Sequence, residues 1–442
     1  MQEWLEMSAA DLGRGIEEGN IDPITLTQTY LDAIDAHPLR DRIYARVTHK
    51  RALEEATAAS ARAKSGHRLS LLDGVPISWK DLFDSAGTAT EAGSALLKDR
   101  VPNADALVLA NATAMGLVCL GKTHMSELAF SGLGLNPSTA TPPSVNDLDG
   151  VSGGSSSGAA ASVAFGLAAG AIGSDTGGSV RIPAAWNDLV GLKTTSGRVS
   201  LEGVVPLCLR FDTVGPLTRT VEDAALLLGA LEGTGPADLK GGDIKGKRFA
   251  ILQTVVTDEL RDAPREAFEG ALERMRAAGA ILEQLDVPEI DEAMALSGVL
   301  YTAEAYGLWR DAIEANPDLM FAEILERFRQ GATFSGPDYV SAWAKLEGCR
   351  KAYDQATASF DAVLCPTSAI LPPNLERLMT DHDYYVTENL LALRNTRVGN
   401  LMGLSALTLP TGTPSCGILL MTPPDMDEQA LRLGAVVEKV LA

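Results

Sequence analysis

A chain of 442 residues with 46% hydrophobic and 21% charged side chains has an ordinary globular composition and length enough for a sizeable core. Its 37 basic and 58 acidic residues leave a formal net charge of −21, which disfavours nucleic-acid phosphates and anionic membranes alike as partners. The five cysteines (Cys119, Cys208, Cys349, Cys365, Cys416) stand singly, predicting reduced thiols in a cytoplasm rather than disulfides or a zinc site.

The opening MQEWLEMSAADLGRGIEEG reads as an acidic amphipathic helix without the basic start and apolar core of a signal peptide. No window is apolar for long enough to span a membrane. RALEEATAASARAK, residues 51–64, predicts a helix, followed by a strand-like segment within LLDGVPISWKDLFD. Residues 103–120 read as a helix running into a short strand, LVCL. After a Gly/Ser/Pro-rich stretch at 131–158 come an Ala-rich helix (GAAASVAFGLAAG), a short strand (AIGSD) and a turn. LVGLKTTSGRVS is strand-like, and TVEDAALLLGAL predicts an amphipathic helix capped by Thr220. Residues 247–288 read strand–helix–strand and 289–360 as long helices. The end alternates DAVLCPT, a helix near 387–404, SALTLP, GILLM and a last helix. Strands alternating with helices predict an α/β fold around a sheet. With no repeat, linker or charge block, residues 1–442 read as one domain.

GLVCLGKT, residues 116–123, matches a phosphate-binding P-loop letter for letter. That motif works only as a bare loop between a strand and a helix. Here the four intervening residues look like the strand itself, so nucleotide binding is rejected.

Two Gly/Ser turns carry the stronger signal. SGGSSSGAAA, residues 152–161, crowds small residues where a helix begins and free N–H groups point outward. DTGGS, residues 175–179, sets two glycines before Ser179, a backbone suited to approaching a ligand and presenting donors to an oxyanion. Ser179 follows Ser155 by 24 residues. A helix of about sixteen residues and a strand of about four would bring the chain back, so that the serines meet.

A serine needs a base before it can attack. None of the five histidines (His37, His49, His67, His124, His382) adjoins a Gly/Ser turn in sequence, and no G-x-S-x-G elbow is present. Lys80 remains, flanked by Ile77, Trp79 and Leu82. To act as a base its pKa must fall by about three units, or ~4 kcal/mol, and apolar burial pushes in that direction.

GVPISWKDLFDSAGTATEAGS, GKTHMSELAFSG, GGSSSGAAASVAFGLAAGAIGSDTGGSVRIPAA and VGLKTTSGRVS resemble successive blocks of the amidase signature family, and DAVLCPT and GLSALTLP continue the match. The resemblance implies one α/β domain with a large mixed sheet between helical layers. Its signature core would span about 70–230, with segments of 235–400 contributing to the pocket. It also implies a Ser–cisSer–Lys triad: Ser179 as nucleophile, Ser155 as bridging serine on a cis peptide, Lys80 as base. The backbone N–H groups of Thr176, Gly177, Gly178 and Ser179 would form the oxyanion hole, and neither metal nor organic cofactor is expected. The sequence departs from the family pattern at Ser152, Ser157, Asn187-Asp188 and Thr194. None of these touches the triad, but Asn187 and Asp188 stand where local packing or the pocket would be reshaped.

The expected substrate is a small-molecule amide, with Phe130, Tyr301, Tyr306 and Trp309 as candidate pocket lining, core packing being the equal alternative. Arg327 lies four residues before Gly331, as in glutamine-using members, where such an arginine binds the substrate carboxylate. The absence of an extra C-terminal domain and of an N-terminal membrane helix disfavours fused allophanate hydrolases and membrane-bound lipid amidases. The alternatives are the glutaminase subunit of a tRNA-dependent amidotransferase, an allophanate- or biuret-type hydrolase and, least favoured with all three triad residues intact, a non-enzymatic binding role. A homodimer is compatible with this reading.

Overall fold

The apolar runs of the chain line up as the strands of one sheet. The computed structural model describes residues 2–442. Its strands are β1 (Tyr44–Val47), β2 (Pro76–Lys80), β3 (Val118–Thr123), β4 (Ala171–Asp175), β5 (Val190–Lys193) and β6 (Thr213–Thr218). Then follow β7 (Arg248–Leu252), β8 (Ile281–Leu285), β9 (Ala362–Pro366), β10 (Ser405–Pro410) and β11 (Gly417–Thr422). They form an 11-stranded mixed sheet in the order β1-β3-β2-β4-β6-β5-β10-β11-β9-β7-β8. β2 runs parallel to β3 and β4, and β7 parallel to β8 and β9; the remaining pairs are antiparallel. Every residue of β2, β4, β6, β9 and β11 is buried. Since successive side chains face opposite ways, both sides of the sheet's centre are covered.

The helix at Val221–Glu232 begins as expected, with the Thr220 side chain accepting from Asp223 N. The N-terminal segment, read as one helix, is instead a short 3-10 turn, Gln2–Leu5, and a helix, Ala9–Glu17, capped by Ser8. Ser8 takes the N-cap because its side chain accepts from Asp11 N. The Ala-rich helix is also shorter than expected. It spans Ser157–Ala164 and stops where Gly166 turns left-handed (φ +71).

β1 and β6 had no counterpart in the sequence reading. β6 carries Gly215-Pro216, which reads as a turn. In the sheet, a Cβ at Gly215 would lie 1.9 Å from Leu192 O, so this close backbone approach admits only glycine. The rejected P-loop falls inside β3. Lys122 is buried there, donating to Phe83 O at 2.6 Å and Thr90 Oγ1 at 2.9 Å, so no phosphate cradle exists.

Candidate active site

Parallel pairing sets Ser78 opposite Ala171 and Trp79 opposite Ile172, which brings the carboxyl ends of β2 and β4 side by side. Lys80 ends β2 and has no solvent exposure. Its Nζ donates to Ser155 Oγ at 2.7 Å and to Ser174 Oγ at 2.8 Å. Among the described residues no carboxylate stands within ion-pair distance of it. Burial pushes its pKa down to about 7, outweighing the upward pull of Asp175 and Asp212. Near neutral pH a large fraction of the amine is therefore unprotonated and able to accept the Ser155 proton.

The first serine turn is held from several sides. The Gly154–Ser155 peptide is cis. Ser126 N donates to Ser155 O at 3.1 Å, and Ser156 N donates to Ser179 O at 3.2 Å, which sets the two Gly/Ser turns back to back. The Ser155 and Ser179 hydroxyls form no hydrogen bond with each other. Catalytic hydrogen bonds commonly tighten only when substrate is bound. Two of the residues that depart from the family pattern work together here. Asn187 Nδ2 donates to Ser152 O at 2.8 Å and Ser152 Oγ at 3.1 Å, and neither residue lines the cavity beside Ser179.

The second turn leaves β4 at Asp175, whose carboxylate accepts from Gly178 N at 2.9 Å and Val180 N at 3.1 Å. This corrects one expectation, because the Gly178 N–H is committed to Asp175 and is not free for an oxyanion. Among the described residues, the N–H groups of Thr176, Gly177 and Ser179 have no protein acceptor. Thr396 Oγ1 fixes the intervening peptide by donating to Gly177 O at 2.8 Å, and Thr176 Oγ1 donates to Asp212 Oδ1 at 2.6 Å. Gly178 sits at φ +142, and a Cβ there would lie 2.1 Å from Thr396 Oγ1, so this position demands glycine.

Beside Ser179 lies a narrow chamber of about 30 Å³, lined also by Thr176, Gly177, Phe130, Tyr301, Arg327 and Arg397. It adjoins an outer bowl of about 400 Å³ that shares Phe130, Tyr301, Arg327 and Arg397. Of the sequence-predicted lining, Phe130, Tyr301 and Arg327 are therefore brought to the chamber.

Tyr306 and Trp309 are not. Tyr301, Tyr306 and Trp309 share the helix Ser297–Ala315, where five residues turn the side chain by ~140°. Tyr306 Oη donates to Glu314 at 3.2 Å, and Trp309 Nε1 donates to Pro206 O at 2.9 Å. Sequence reading missed Arg397, Ser174 and the Asp175–Arg181 pair. The available signal was charge within apolar context, as in LLALRNTRVGNLMG. No histidine lines the chamber, though His382, Glu323 and Glu326 bring three donor atoms within 4.8 Å of one another at the outer bowl.

The model of the family described as Amidase matches residues 25–431. The chain is 34% identical to 2-amino-5-chloromuconic acid deaminase of Comamonas testosteroni, over 88% of this chain and 87% of that one. It is 36% identical to one subunit of the glutamyl-tRNA(Gln) amidotransferase of Marinobacter nauticus, over 67% and 65% of the two chains. Among solved structures, the native peptide amidase of Stenotrophomonas maltophilia superposes with a TM-score of 0.83 at 27% identity, covering 99% of this chain and 98% of that one.

Proposed function

The chain belongs to the amidase family and is a hydrolase of carbon–nitrogen bonds, and we propose that it cleaves small-molecule amides through an acyl-enzyme on Ser179. Neutral Lys80 takes the proton of Ser155, which takes that of Ser179 as the latter attacks the amide carbonyl. The N–H groups of Thr176, Gly177 and Ser179 are the donors for the oxyanion. Ser155 then returns a proton to the departing ammonia or amine, and water hydrolyses the ester. The observation that carries this reading is the sealed Lys80 amine, 2.7 Å from Ser155 Oγ and without a carboxylate partner among the described residues. A cytoplasmic location belongs to the same proposal, supported by five unpaired and buried cysteines. The test is mass-spectrometric trapping of the acyl group. It is expected on Ser179 and absent from Ser179→Ala, and a label on any other residue overturns the assignment.

A second reading, the glutaminase component of a tRNA-dependent amidotransferase, is favoured by the relatives named as subunits of glutamyl-tRNA(Gln) amidotransferases. On that reading the isolated chain releases ammonia from glutamine feebly and gains rate only with partner subunits. On the first, a simple amide is hydrolysed by the chain alone.

A further inference from the structure

The wall of the Ser179 chamber carries two guanidinium groups that the protein itself leaves without an anion. Arg397 is 9% exposed, and among the described residues it has neither an ion pair nor a hydrogen bond. The Tyr301 ring lies 6.0 Å from its guanidinium carbon. Arg327 Nη1 donates to Phe130 O at 3.0 Å, and its guanidinium lies 4.5 Å from the Phe130 ring centre. Burial, with Arg397 adding to it, pushes its pKa down to about 10, still above neutrality, so Arg327 stays cationic at neutral pH; a guanidinium is ordinarily charged throughout that range. The Tyr301 hydroxyl is buried as well and has no hydrogen-bond partner among the described residues.

Leaving such groups unpaired is costly, because a buried charge without a counter-charge loses its hydration and gains nothing. Arg181, by contrast, is sealed against Asp175 at 2.9 Å. Two cations and an orphan phenol on the wall facing Ser179 therefore point to an anion brought by the ligand. The rim of the outer bowl is of opposite character, with Glu323, Glu326 and a His382 that bonds Glu323 at 2.7 Å. An anion is thus favoured at the inner end and opposed at the mouth.

On the reading that Ser179 attacks an amide, we infer that the substrate's acyl portion bears a carboxylate. Arg397 and the Tyr301 hydroxyl receive it, and Arg327 completes the positive wall. Because these groups share one small chamber with Ser179, the carboxylate stands only a few bonds from the scissile carbonyl, as in malonamate, succinamate or glutaramate. A neutral amide leaves the guanidinium groups uncompensated, so discrimination comes from the unmet charge as much as from the new contact.

The experiment compares kcat/KM for succinamate with that for succinamide, its neutral counterpart of the same size, on the full chain. The wild type is expected to prefer succinamate by at least tenfold. Arg397→Met should lower that ratio by about tenfold to a hundredfold, the loss of a hydrogen bond to a charged partner. Arg397→Lys should recover part of the ratio, and Tyr301→Phe should lower it less. Calorimetry on Ser179→Ala supplies a readout independent of turnover: succinamate binds, and adding Arg397→Met abolishes binding. Equal or better turnover of succinamide by the wild type overturns the inference, as does an unchanged ratio in folded Arg397→Met. If Arg397→Met does not fold, Arg397→Lys and Tyr301→Phe decide it by the same ratio. If no amide of either kind is hydrolysed, the Ser179 mechanism fails, and the calorimetric result on Ser179→Ala still decides for or against the carboxylate site.

Discussion

Asp175 and Arg181 meet in an ion pair sealed from solvent on both sides, with Arg181 Nη2 2.9 Å from Asp175 Oδ1. The same carboxylate accepts from Gly178 N, Val180 N and Asn400 Nδ2. These donors, Arg181 foremost, outweigh burial and hold the Asp175 carboxyl far below the usual carboxylate range. The pair therefore fastens the turn bearing Ser179 to the end of β4, and orients the Gly177 and Ser179 N–H groups without touching the reacting atoms.

Asp175→Asn keeps the shape but leaves the Arg181 guanidinium buried without its charge partner. Breaking a buried pair in this way costs about 3–5 kcal/mol. Urea unfolding should show that loss, and kcat measured where the variant is still folded should fall because the donors lose their alignment. A variant as stable as the wild type would mean the pair contributes nothing to holding the turn.

Lys80→Ala and Ser155→Ala should each lower kcat by ~10²–10⁴-fold, the usual scale of lost acid–base catalysis. Their hydroxyl–amine contact at 2.7 Å makes them one relay, so the double variant should be scarcely slower than either single one. Steady-state kinetics on all three variants checks this. Additive losses in log rate would show two groups working independently.

The three residues proposed as the triad could be singled out because each sits in a local pattern that strand and turn physics recognise: a lysine ending an apolar strand, and two Gly/Ser turns one helix apart. The oxyanion turn was legible less completely. That Gly178 spends its N–H on Asp175 depends on how the turn coils back over a carboxylate three residues earlier, and composition does not reveal such a return. Tyr306 and Trp309 failed for a different reason. Their helix had to be there, but which arc of it faces Ser179 is set by packing against the Arg327 segment. Arg397 was invisible because an arginine in a helix reads as a charge turned to solvent, whereas the helix His382–Leu401 is buried along most of its length.

Stability should rise with pH above neutrality, and two lysines should account for part of the slope. Burial lowers Lys80 and Lys193 from the usual 10.5 to about 7. Between those values the unfolded chain binds a proton at each lysine that the folded chain does not, so stability increases as pH rises through the window. Each group contributes a slope of up to ~1.4 kcal/mol per pH unit. Lys80→Met and Lys193→Met should each flatten the wild-type slope by that amount, read from urea unfolding at several pH values between about 7 and 8.5. Comparing variant with wild type cancels the cysteine titrations that begin at the upper end. A slope unchanged by either substitution would mean the lysine in question is charged in the folded protein.

The same lysine should govern the rate. If neutral Lys80 starts the relay, kcat/KM climbs as pH rises through about 7, the value to which burial brings it against the pull of Asp175 and Asp212. Two pH units below, about one enzyme in a hundred carries the neutral amine, and the rate should fall in proportion. A histidine would ordinarily be suspected of such a limb. His124 is the one placed near the first serine turn, its carbonyl accepting from Gly158 N at 2.9 Å. Burial lowers its ring to about 4, so it is already neutral across the pH range in question. His124→Ala should accordingly retain the limb near pH 7, with its stability measured alongside, whereas Lys80→Ala should lose both most of the rate and the limb itself. A folded His124→Ala protein without the limb would transfer the role of base from lysine to histidine.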